Sequence, residues 1–212
     1  IAEFGQKGYH GVAIVSRVPF TGQTSHDFCA KGDCRHVSVR LNLPAPTILH
    51  NFYIPAGGDE PDPGINEKFA HKLAFLEELQ SWTREKARPD GHEAILVGDL
   101  NIAPLTEDVW SHKELLKVVS HTPIETEALL AIQKAGTWQD VMRKHVPADQ
   151  KLYTWWSYRA KDWRAADRGR RLDHIWASPD MAARSTGIDV RKDARGWEQP
   201  SDHVPVIAHF SD

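Results

Sequence analysis

The sequence predicts one α/β or α+β domain over residues 1–212, and three patterns carry that expectation. Residues 36–43 (HVSVRLNL) alternate strictly, with Val37, Val39, Leu41 and Leu43 on one face, the period of a half-buried strand. Residues 47–53 follow a proline-containing turn as the hairpin partner, so pairing is antiparallel there and not built only from βαβ crossovers. Residues 66–86 then carry Phe69, Leu73, Leu76 and Leu79 at helical spacing, ahead of a second apolar run at 93–99.

The remaining elements follow in order. Residues 11–18 alternate small and apolar side chains and read as one strand ending at Pro19. Residues 56–64, rich in Gly, Pro and acids, form a loop. Ile95, Leu96 and Val97 in succession predict a strand covered on both faces, with Gly98 allowing a sharp turn at its end. Residues 105–123 are a long connection with mixed signals, and such connections are often functional. Residues 126–135 read as an amphipathic helix stopped by Gly136, residues 140–145 as a short third helix, and 171–178 and 204–210 as closing strands.

Bulk properties narrow the function classes. A hydrophobic fraction of 41% with 26% charged residues is that of an ordinary globular chain. No apolar run reaches the roughly 18 residues of a membrane span. The net charge of −3 counts against a general nucleic-acid binder. The charge is uneven, however: Arg159, Lys161, Arg164, Arg168, Arg170 and Arg171 face only Asp162 and Asp167 within the same run. That run is either a solvated loop or a local phosphate-holding patch. Cys29 and Cys34 permit a small disulfide or half a metal site, but no second pair completes a zinc constellation, and incidental thiols are the expectation. His26, His71, His92 and His209 read as surface residues.

Four polar-tipped apolar runs carry the chemistry. Ile95–Pro104 (ILVGDLNIAP) delivers Asp99 and Asn101, which face the same way if the strand stays extended. A carboxylate and an amide in one cleft suit activation of a water; the alternative is a strand-end Asx turn. PSDHVPV sets Asp202 beside His203, RLDHIWAS places Asp173 in a strand, and HNFYIP ends on Tyr53. Singly, these are capped turns and a core tyrosine; together they read as loops gathered at one mouth of a sheet.

GDLNIAP, RLDHIWAS and PSDHVPV, in that order with HNFYIP upstream, resemble the endonuclease/exonuclease/phosphatase superfamily. GQKGYHGVAI at 5–14 and YTWWSYR at 153–159 are similar to its exonuclease III branch of DNA-repair nucleases. The resemblance implies a four-layered αββα sandwich of two mixed sheets, DNase I-like. It also implies a first strand bearing an Asn and a metal-binding Glu that would precede Ile1, so the domain is expected to be N-terminally incomplete and unstable as this segment alone.

From the same resemblance, Asp99 is the candidate general base and Asn101 orients the water or the phosphate. His203 contacts a phosphate oxygen, Asp173 pairs with His203, and Tyr53 binds the phosphate or assists the leaving oxygen. Asp202 is the candidate ligand for Mg²⁺ (or Mn²⁺). Trp155 and Trp156 resemble an aromatic wedge beside an abasic-site pocket, one of the two belonging to the core. Lys7, Tyr9, Arg159 and Lys161 are candidate contacts to the DNA backbone. Arg170 stands where one branch carries an aromatic residue, which leaves the pocket's preference open. The implied protein is a cytoplasmic, nucleoid-associated monomer that takes double-stranded DNA with abasic sites or 3′ ends. It trims 3′→5′ and incises 5′ to the lesion. The alternatives are another phosphoester (inositol phosphate, sphingomyelin or RNA) on the same catalytic set, or a non-catalytic binding fragment.

Overall fold

The chain folds around one mixed sheet, seen in a computed structural model that describes residues 1–8 and 10–211. The elements are β1 (Ala2–Gly5), β2 (Gly11–Ile14), β3 (Phe20–Thr24), β4 (His36–Leu41), β5 (Thr47–Tyr53), α1 (Glu67–Glu85), β6 (Glu93–Asp99), α2 (His112–Leu115), α3 (Pro123–Ala135), β7 (Gln139–Asp140) and α4 (Val141–His145). There follow β8 (Trp155–Trp156), α5 (Trp163–Ala166), β9 (Gly169–Arg170), β10 (Asp173–Ala177), α6 (Pro179–Ala183), β11 (Ser185–Val190) and β12 (Val206–Phe210). Six strands pair in the order β3-β4-β5-β6-β10-β7, antiparallel except for the parallel β5–β6 step.

Alternation divides this sheet into two faces. Phe52, Leu96 and Trp176 point one way and pack under Phe75, Leu76 and Leu79 of α1 and Leu129 and Ile132 of α3. Val37 and Val39 point the other way, onto Ala2, Val12 and Ile14 of the β1–β2 hairpin. Ile95, Val97 and Ile175 share that second face and meet the β11–β12 hairpin through Ile188, Val190 and Val206. Helices, a six-stranded mixed sheet and a second layer of hairpins give the mixed α/β stacking that the resemblance implied. Among the described residues the second layer is made of separate two-stranded antiparallel sheets and not of one mixed sheet.

Several sequence expectations shift on contact with the structure. Residues 11–18 do not form one strand: β2 stops at Ile14, and Ser16 Oγ accepts from Val18 N (3.0 Å) in a turn before β3. Helix α3 begins three residues earlier than its apolar stripe, because Thr122 and Glu125 form a capping box around Pro123 at its first turn. The 105–123 connection contains a single turn at 106–108 and the short α2. Strand β6 is buried on the helix side at Ala94 and Leu96 but only half-buried at Ile95 and Val97. Both cysteines are free thiols, Cys34 buried. Of the four histidines expected at the surface only His209 is exposed; His26 and His71 are half-buried against Glu78 and Asp33.

Candidate active site

Sheet register brings the site together. Tyr53 on β5 is paired with Asp99 on β6, and Asp99 with Asp173 on β10, so three adjacent strands present these side chains in one row. The row forms only because β6 passes very close to β5: a Cβ on Gly98, whose φ is 137°, would lie 2.0 Å from the Phe52 carbonyl oxygen. Glycine is required there for close approach, beyond any role in turning the chain.

Past Asp99 the chain does not stay extended. Asn101 takes a left-handed φ of 53°, so strand alternation is not what aims it. Instead the Asp99 carboxylate accepts from Asn101 N (2.9 Å) and from Asn101 Nδ2 (3.0 Å). The same Nδ2 donates to Ile54 O (2.9 Å). The Asx turn and the acid–amide pair, weighed as alternatives from the sequence, are one arrangement.

His203 arrives from the loop before β12. Its Nδ1 donates to Asp173 Oδ2 (2.8 Å), while its Nε2 stands 3.8 Å from Asp99 Oδ2, outside hydrogen-bond range. Asp173 Oδ2 also accepts from Thr154 Oγ1 (2.6 Å), which in turn accepts from the N–H groups of Leu172 and Asp173 (3.1 Å each). Burial alone would lower the His203 pKa, but the hydrogen bond to Asp173 and the charges of Asp173, Asp99 and Asp202 raise it to about 9. Burial, then repulsion from Asp173, raise Asp99 to about 7 against the opposing pull of His203. An acid that ionises near neutrality and an imidazolium that persists above it are the matched pair that proton transfer beside a phosphate needs.

Two openings meet at this row. A cleft of about 570 Å³ is lined by Asn51, Tyr53, Asp99, Asp173, Asp202 and His203. A cavity of about 720 Å³ runs from Asp99, Asp202 and His203 toward Trp110, Trp155 and Arg170. A larger cavity, about 1060 Å³ beside α3, α4 and α6, contains none of these groups. Size does not mark the candidate site here; the convergent acids do.

Asp202 opens on both spaces, its Oδ2 held by Trp155 Nε1 (2.9 Å). Three carboxylates against one imidazolium leave the cleft negative, a donor set of oxygens that suits a hard divalent cation. Asp99, Asp173 and His203 bring ligand atoms within 4.8 Å of one another. His203, however, spends one nitrogen on Asp173 and has a raised pKa, both of which work against its serving as a cation ligand.

The other expected contacts divide. Trp155 is half-buried on the cavity wall, whereas Trp156 is buried (2% exposed) and donates to Asp167 Oδ1 (3.0 Å), so it belongs to the core and not to the wedge. Lys7, Arg159 and Lys161 are exposed; Tyr9 lies outside the described residues. Arg170 lines the cavity, but Arg171 is buried between Asp108 and Asp140, which removes it from any phosphate patch.

Sequence reasoning missed several supporting groups. Thr154 sits one residue before the tryptophans and carried no separate signal. Lys72, fully buried on α1, donates to Asn101 O (2.8 Å) and Ala56 O (3.2 Å) and pairs with Glu125 (2.5 Å). Glu125 accepts from Ser120 N (3.0 Å), so one ion pair ties three cleft-lining loops together. A lysine on the apolar stripe of α1 was its only sequence trace.

Residues 2–203 match the model of the endonuclease/exonuclease/phosphatase family, and the chain belongs to that family. Its relatives place it in the exonuclease III branch. It is 29% identical to an exodeoxyribonuclease III of Haemophilus influenzae, over 97% of this chain and 78% of that protein. An AP endonuclease from Archaeoglobus fulgidus superposes with a TM-score of 0.89 at 30% identity, over 100% of this chain and 79% of that one. A 3′-5′ exonuclease from Neisseria meningitidis gives 0.87 at 28% identity, over 99% and 78%. No helix among the described residues is long and apolar enough to cross a membrane.

Proposed function

We propose that the protein is a divalent-metal-dependent DNA-repair nuclease that removes nucleotides from 3′ ends of duplex DNA and incises 5′ to abasic sites. The observation that carries this reading is the Asp99–His203–Asp173 cluster: an acid that ionises near neutrality and an imidazolium across a 3.8 Å gap, both opening on one cleft. Relatives named as exodeoxyribonuclease III and AP endonuclease support the substrate class.

In this reading Asp99 takes a proton from the attacking water, and Asn101 holds the carboxylate in line. The water oxygen bonds to phosphorus as the bond from phosphorus to the 3′ oxygen breaks, and that oxygen takes a proton from solvent to leave as the 3′ hydroxyl. His203 donates to a non-bridging oxygen, fixed and kept charged by Asp173. Tyr53 steadies the phosphate or the departing oxygen. Asp202 would hold Mg²⁺ or Mn²⁺, which when bound supplies charge stabilisation at the phosphoryl oxygens. Lys7, Arg159 and Lys161 contact the DNA backbone without reading sequence. The protein acts as a monomer.

A duplex with one abasic site, incubated with Mg²⁺ and then with EDTA, tests the reading. Metal-dependent cleavage leaving a 3′ hydroxyl upstream of the lesion is expected. A folded, metal-supplied protein that leaves the duplex intact would redirect the site to another phosphoester.

A further inference from the structure

The row of Tyr53, Asp99 and Asp173 is braced at both ends. At the β10 end Thr154 and Asp173 hold His203; at the β5 end Arg35 holds Tyr53. Tyr53 N donates to Arg35 O (2.9 Å), and Arg35 Nη1 donates back to Tyr53 O (3.1 Å). The same guanidinium lies against the Tyr53 ring, its carbon 5.2 Å from the ring centre. Arg35 Nε donates to Asp33 Oδ2 (2.7 Å), which also accepts from His71 Nε2 (3.2 Å). His10 Nε2 stands 3.2 Å from Asp33 Oδ1, and its ring meets the Tyr53 ring edge-on, centres 6.3 Å apart. Burial alone would raise the Asp33 pKa, but the hydrogen bond and charge of Arg35 hold it below the usual range.

Two observations separate Arg35 from a substrate contact. Its charge is answered by Asp33, and only 7% of the residue is exposed. Tyr53 lines both openings at the row, whereas Arg35 lines neither. Whatever Arg35 does for the site, it does through the tyrosine. A cation against a phenol ring is attracted to its π electrons, which fixes the ring and polarises its O–H as a donor. We propose that Arg35 is a positioning residue for Tyr53. Anchored by Asp33, it holds the phenol at the cleft and strengthens the hydrogen bond that the phenol gives to the phosphate or the departing oxygen. The proposal rests on the phosphodiesterase reading and deepens it, extending the site to a buried pair that no substrate touches. A partly desolvated contact of this kind is strong enough for about a tenfold effect on rate.

A double-mutant cycle tests it, read as single-turnover cleavage of the abasic duplex in Mg²⁺ over a range of enzyme concentrations. The proteins are the wild type, Tyr53→Phe, Arg35→Met, Arg35→Lys and the combined Arg35→Met/Tyr53→Phe. Tyr53→Phe keeps the ring and removes the hydroxyl, and is expected to slow cleavage by about 10²-fold. Arg35→Met should slow it by about tenfold, with the half-saturating concentration within about twofold of the wild type. In the Tyr53→Phe background the same change should have an effect of about one, because the hydroxyl it acts through is gone. Arg35→Lys keeps the charge and loses the fork, so its rate should fall between those of the wild type and Arg35→Met. If Arg35→Met fails to fold by circular dichroism, Arg35→Lys is carried through the same cycle, with about threefold expected beside Tyr53 and about one without its hydroxyl. Equal slowing in both backgrounds would overturn the proposal, as would a loss confined to binding, which would make Arg35 a substrate contact. Either result leaves wild-type cleavage, and with it the nuclease reading, in place. A wild type that leaves the duplex intact overturns both.

Discussion

Arg171 and Asp173 stand two residues apart, yet the charged clusters they anchor are built on opposite principles. Around Arg171 every charge is answered: its Nε and Nη1 meet Asp108 (2.8 Å) and Asp140 (2.6 Å), and Arg143 closes on Asp108 (2.5 Å). Burial alone would raise the Asp108 pKa, but the two guanidiniums hold its carboxyl below the usual range. Around Asp173 the charges are left unbalanced. Three acids share one imidazolium, and Asp99 is held up near neutrality. The difference teaches how to tell a structural ion cluster from a candidate reactive one in the same sheet: compensation marks the first, and unmatched charge facing an opening marks the second.

Breaking the compensated cluster should give the largest effect on stability. Arg171→Met leaves Asp108 and Asp140 buried without their main partner, and the free energy of unfolding in urea is expected to fall by about 3–5 kcal/mol. The folded fraction should keep its cleavage rate. Breaking the unbalanced cluster should do the reverse. Asp173→Asn still accepts from His203 Nδ1 but no longer holds the imidazolium, so kcat is expected to fall by roughly 10²- to 10³-fold, with a change of under about 1 kcal/mol in stability.

The pH dependence sharpens the contrast. Asp99 must be ionised to accept a proton, so the rate should rise with pH through about 7. His203 must be protonated to donate to phosphate, so the rate should fall through about 9, leaving a bell-shaped profile of kcat/KM. A flat profile from 6 to 10 would remove both assignments. The smallest effect belongs to the exposed cations. Arg159→Ala and Lys161→Ala should each reduce the slope of log K against log salt by about one contact and leave kcat unchanged.

Much of this site was legible in the sequence, and what was not depends on tertiary placement. Strand β4 and helix α1 follow from periodicity, and β5 from its place after a proline-containing turn. Strand β6, read from a continuous apolar run as covered on both faces, is fully buried on one face only. Asp99, Asp173, Asp202, His203 and Tyr53 could be named because short polar tips on apolar runs survive as local signals. The register that aligns Tyr53, Asp99 and Asp173 could not be read, since it depends on which strands become neighbours. Nor could the burial of Trp156 beside the half-buried Trp155: adjacent strand residues face opposite ways, and only the packing partner decides which is core. Arg170 and Arg171 divide in the same manner, one lining the cavity and the other locked between two acids. Asn101 reached Asp99 by a left-handed turn where alternation had suggested an extended strand, the right contact by a different backbone.

The most direct test compares Asp99→Asn with the wild type in two readouts, single-turnover cleavage of the abasic duplex in Mg²⁺ and the urea midpoint at pH 8. Because burial and Asp173 work against ionised Asp99, its folded pKa lies above its unfolded value of 3.8, and ionising it costs stability as pH rises through about 7. The amide should therefore cut at least 10³-fold more slowly while unfolding at a urea concentration no lower than the wild type. Cleavage within tenfold of the wild type, or a loss of activity matched by a fall in the midpoint, would contradict the assignment of this cluster as the hydrolytic centre.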